Sequence, residues 1–71
     1  MAQNQPQEYK HGGLVFEHYT LTVAGTNTWV ADGYLKSDPN VTIRTQALDT
    51  EREARLAFID MATEIARSKN Q

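Results

Sequence analysis

Residues 53–66 read EARLAFIDMATEIA, and the spacing of their apolar positions decides the fold. At about 100° per residue, Ala54, Ala57, Phe58, Met61, Ala62 and Ile65 fall on one continuous arc. That arc predicts an amphipathic helix covering a single core face. Leu56 stands roughly 200° from Ala54 by the same helical period, beside Ile59 and Thr63, so the helix carries a second and smaller apolar strip. Just upstream, TERE at Thr50 to Glu53 fits a capping box. The threonine hydroxyl takes the N–H at the third helical position, and Glu53 reaches back. Glu51 and Glu53 suit the positive end of a helix over about 50–68, Arg67 and Lys69 suit its negative end, and Glu51 to Arg55 is a favourable i,i+4 pair.

Working back from the helix, three alternating runs are separated by turn chemistry. VTIRTQA places Val41, Ile43, Thr45 and Ala47 on one side. TWVADGYLK places Trp29, Ala31, Gly33 and Leu35 on one side and Val30, Asp32, Tyr34 and Lys36 on the other. FEHYTLTV alternates Tyr19, Leu21 and Val23 with His18, Thr20 and Thr22, and its apolar set is expected to face inward. Gly33 in mid-strand predicts a bulge or a close approach by something packed over it. SDPN, with Pro39 after Asp38, predicts a type I turn in which the Asp side chain bonds the backbone beyond the proline. AGTNT supplies the residues that tolerate positive φ in a hairpin.

The expected fold is α+β, a three-stranded antiparallel β-meander with one C-terminal helix packed on one face (βββα). Residues 1–12, rich in Gln, Asn and Gly, are expected to form a flexible, disordered N-terminal tail, and residues 13–71 a single domain.

One helix covers one side of such a sheet, leaving the other open. The candidate partner-binding residues on that open face are Phe16, His18, Tyr34, Lys36 and Arg44. Aromatic and polar residues with sparse charge suit an interface, although threonine and tyrosine favour strands whatever their role. Leu56, Ile59 and Thr63 form a candidate dimer strip. Glu53, Asp60 and Glu64 line up as a candidate acidic stripe for a basic partner.

Composition narrows the function classes. A chain of 71 residues without cysteine holds one small core and has no disulfides or thiolate metal sites to reinforce it, which favours a second subunit. Seven Lys and Arg against nine Asp and Glu give a formal charge of −2, the wrong sign for a nucleic-acid footprint. The N-terminal residues lack the pattern of a signal peptide, and no apolar run reaches membrane-spanning length, so a cytoplasmic location without membrane association is expected. His11 and His18 are the only histidines and have no ligand partners at metal-site spacing. HGG at 11–13 lacks any accompanying G-x-S-x-G elbow, and no glycine-rich phosphate loop precedes the helix. No catalytic residue, cofactor or metal is therefore expected.

The order strand, strand, strand, then a helix opening T-x-x-E-A at Thr50, Glu53 and Ala54, with Ala57 following, resembles small bacterial and phage proteins, including HicB-like antitoxins and several short families. The resemblance covers about half the chain. It implies a non-catalytic protein that binds another protein and is often oligomeric, with an inhibitor of a host defence or nuclease complex as one version. The leading expectation is such an interaction protein acting as a homodimer. The alternative is a nucleic-acid-binding module on the open sheet face.

Overall fold

The structure, a computed structural model, describes residues 6–69. It is an α+β fold with four antiparallel strands in sequential order, β1 (Gln7–His11), β2 (Leu14–Thr22), β3 (Trp29–Leu35) and β4 (Asp38–Arg44), followed by α1 (Glu51–Lys69). Four strands replace the expected three. The extra strand lies in the segment expected to be tail, of which residues 1–5 fall outside the described residues. Gly12 and Gly13 form the two-residue connection between β1 and β2, with φ of 59° and 82° and His11 opposite Leu14. Both central residues need positive φ in a turn whose twist matches its strands, and glycine reaches it without strain. The strand is held to the helix by Tyr9, whose hydroxyl is 2.9 Å from Thr63 Oγ1 and whose ring lies beside Phe16.

The expected inward face of β2 is inverted. Phe16, His18 and Thr20 point at the helix and are buried, while Tyr19 and Leu21 lie on the opposite side and are half-buried. Their partners across the ladder are Leu35, Gly33 and Ala31 respectively. A one-residue change of phase moves every side chain of a strand to the other face. Charge decides the phase: the alternative burying Tyr19 and Leu21 would also bury Glu17 and expose Phe16. An unpaired buried carboxylate costs far more than a hydrogen-bonded threonine or a neutral imidazole. Thr20 is compensated by donating to Glu51 Oε2 at 2.7 Å.

Of the inward set expected on and after β4, Ile43 and Thr45 are buried and Val41 is half-buried, while Ala47, past the end of the strand, is exposed. Thr45 Oγ1 accepts from the Ala31 N–H at 2.9 Å. The turn, however, falls at Lys36 and Ser37, because Asp38 already opposes Leu35. Asp38 still accepts from the Asn40 N–H through its carboxylate, at 3.3 Å. Tyr34 then opposes Thr42, so Pro39, Asn40 and Val41 are surplus on β4 and form an irregularity beside Tyr34 and Leu35.

Helix α1 starts at the expected cap, where the Glu53 N–H donates to Thr50 Oγ1 at 3.1 Å. Glu53 closes the box by accepting from the Thr50 hydroxyl at 3.1 Å in place of its backbone. The helix buries Ala54, Phe58, Ala62 and Ala66, a row spaced by four. The alanines let the helix backbone approach the sheet, and Phe58 inserts between them. Met61, expected inside, is 40 % exposed, because the buried row is narrower than the apolar arc. Large, fully buried apolar side chains are Phe16, Leu35, Ile43 and Phe58.

Candidate interaction surface

Side-chain alternation on the four strands builds the face turned away from the helix. Across adjacent strands it reads Lys10 and Glu8 on β1, then Val15, Glu17, Tyr19 and Leu21 on β2. It continues with Lys36, Tyr34, Asp32 and Val30 on β3 and its turn, and Thr42 and Arg44 on β4. No described element of this chain covers it. Of the residues expected here, Tyr34, Lys36 and Arg44 are present. Phe16 and His18 are corrected to the interior, at 0 % and 4 % exposure, for the reason that fixes the phase of β2. The same inversion brings Tyr19, Glu17 and Leu21 to the open face, where sequence reasoning had not placed them. The signal that finds them is Glu17 itself, which shares their side of the strand.

Two of the three cations of this face, Lys36 and Arg44, are held in ion pairs. Lys36 Nζ donates to Glu8 Oε2 at 3.0 Å and stands 3.8 Å from Glu17 Oε1. Arg44 Nη2 donates to Asp32 Oδ2 at 2.6 Å. The bond from Lys36, then its charge, lowers the Glu8 carboxyl below its ordinary range, and Glu8 in turn raises Lys36. Asp32 raises Arg44 in the same way. The Tyr34 hydroxyl donates to Glu17 Oε2 at 3.1 Å, which raises its pKa and fixes the ring. Exposed pairs of this kind add little stability. What they do is neutralise the face and hold its side chains in place.

Between Tyr19 and Tyr34 the face is concave. A depression of about 270 Å³ is lined by these two residues with Asp32, Gly33, Pro39 and Thr42. The surplus residues of β4 put Pro39 on its rim, and Gly33 contributes only backbone to this side. A second depression, about 490 Å³, lies between Glu8, Lys10, Gly13, Leu14, Val15, Lys36 and Ser37.

The two helical candidates are less coherent. Leu56 is 49 % exposed and Ile59 half-buried, but Thr63 is engaged with Tyr9 inside the chain. Glu53, Asp60 and Glu64 are all exposed. Glu53 is committed to the cap, and Glu64 pairs with Arg67 at 3.1 Å. Among the described residues no group of three or more His, Cys, Asp and Glu gathers as a metal site would require, and no helix is long and apolar enough to cross a membrane.

No family model matches the chain, and neither a curated protein nor a solved structure matches it.

Proposed function

We propose that this chain is a small non-catalytic interaction protein that binds another protein through the open face of its sheet. One observation carries the proposal: two tyrosines flank a concavity in an uncovered sheet face where Lys36 and Arg44 are already held by the face's own carboxylates. Tyrosine supplies large contact area with few rotatable bonds and is enriched among residues that dominate binding energy. A face that has neutralised its own charges favours a protein partner over a phosphate backbone, which needs cations free to displace counterions. The nucleic-acid alternative loses its two named cations, Lys36 and Arg44, to Glu8 and Asp32. Pairing of two copies belongs to the same proposal, supported by a fully buried core that has, among the described residues, four large apolar side chains.

The test places a photo-crosslinking phenylalanine analogue at Tyr34 and, separately, at exposed Ser68, in the protein's own cells. We expect a discrete protein adduct from position 34, none from 68, and loss of the adduct when Tyr19→Ser is added. An adduct pattern identical at both positions, or nucleic acid recovered from position 34, refutes the proposal.

A further inference from the structure

His18 is the one histidine of the chain that is buried, and the open face does not use it. It sits in mid-β2 with its ring centroid 4.8 Å from that of Phe58, opposite Gly33 and Gln7 on the neighbouring strands. On this inner side β3 contributes Trp29, Ala31, Gly33 and Leu35, none of them titratable. The inward titratable residues of β1 are Tyr9, tied to Thr63, and His11 at the far end beyond Phe16; Glu8 and Lys10 lie on its open side. The charged groups facing the ring come from α1. Arg55 is near enough to oppose a second positive charge, and Glu51 already accepts from both Thr20 and Arg55 through the same oxygen, at 2.7 and 3.2 Å.

A proton added to this ring would meet a buried site at 4 % exposure and a neighbouring guanidinium, while the Glu51 Oε2 is already shared between Thr20 and Arg55. The face of Phe58 offers a cation some return. Burial first and Arg55 second nonetheless hold the imidazole below its ordinary protonation range. The sign follows from linkage. Since the folded-state pKa is lowered, the unfolded chain binds the proton more readily. Stability is full above the ordinary histidine value of about 6.5 and is lost as pH falls toward the folded pKa.

We propose that His18 is an acid-sensitive latch between sheet and helix: protonation of its ring parts α1 from β2 and exposes the inner face of the sheet. The position makes this a property of the whole fold. Phe58 is the one large residue in the buried row of α1, and its ring lies against His18.

The chain's single tryptophan is a built-in reporter. Trp29 is half-buried and exchanges backbone hydrogen bonds with Leu48, just before α1, at 2.7 and 2.8 Å. Its emission and the helical circular dichroism are followed from neutral to mildly acidic pH in the wild type, His18→Gln, His18→Phe and His11→Gln. We expect a red shift of Trp29 in the wild type and in His11→Gln, beginning below the ordinary histidine range, and loss of that transition in a folded His18 variant. An unchanged transition in a folded His18 variant assigns it to carboxylates and overturns the proposal. Proton NMR of the wild-type imidazole keeps the test independent of variant folding. Protonation of His18 with Trp29 unmoved overturns the latch; coincident changes at both support it.

Discussion

The ring of Phe58 occupies the space that a side chain at residue 33 would take: a β-carbon built on Gly33 falls 2.9 Å from Phe58 Cε2, and it also meets the backbone of Glu17 and His18. The glycine in mid-β3 therefore makes room both for the β2 backbone at Glu17 and His18 and for Phe58 of the helix packed over it. Two of its three obstructions are backbone and cannot swing aside. We expect Gly33→Ala to destabilise the fold by about 1–3 kcal/mol, the range of overpacked cores. Thermal unfolding should show a melting temperature lower by roughly 4–8 °C for each kcal/mol. An unchanged melting temperature would mean that neither the β2 backbone nor Phe58 closes on Gly33 as described.

Removing the cap tests the start of α1. Thr50→Ala deletes the acceptor of the Glu53 N–H and should cost about 1 kcal/mol, whereas Thr50→Ser should cost a few tenths at most. Urea unfolding of the three proteins measures the difference; equal midpoints would show the cap to be idle.

The attachment of β1 rests on a second hydroxyl. Tyr9→Phe keeps the ring beside Phe16 and removes the contact to Thr63, at an expected cost of about 1 kcal/mol. Amide exchange should accelerate across Gln7–His11 and leave β3 unchanged. Protection lost equally in both strands would instead indicate global unfolding.

Light scattering over a dilution series tests pairing. We expect about twice the 8.0 kDa chain mass for the wild type and the monomer mass for Leu56→Asp if the exposed flank of α1 is the contact. A wild type that remains monomeric removes the homodimer altogether. A dimer that survives Leu56→Asp moves the contact off that flank.

Helix α1, its cap and its Glu51–Arg55 pair were legible because each is set by residues close in sequence. So were β3, the 41–44 part of β4 and the close approach at Gly33, while the start of β4 and its turn were not. β1 was missed because its five residues contain one apolar-bodied side chain, Tyr9, and the strand is justified by what it pairs with. The Gly12–Gly13 dipeptide was the available signal, weighed only as part of an HGG motif at the end of a tail, where it is a hairpin turn. The phase of β2 was misread because both its sides carry large residues. Counting apolar residues cannot choose between them, while asking where Glu17 can go does. On the candidate surface, Tyr34, Lys36 and Arg44 were legible from β3 and β4 alone. Tyr19 and the carboxylates that occupy the cations required the register of neighbouring strands.

The surplus of Pro39, Asn40 and Val41 on β4 bears on how copies of this chain can accumulate. Endless stacking of sheets side by side requires each copy to offer two competent borders, one to receive and one to pass on. Here the β4 border has a proline without an N–H and a break in its repeat, leaving only Thr42 to Arg44 in regular register. Such interruptions are how open sheets resist templated pairing. A pair formed through the β1 border would leave only irregular β4 borders at its ends, so a three-residue irregularity on one side of the sheet would oppose its extension into a fibre.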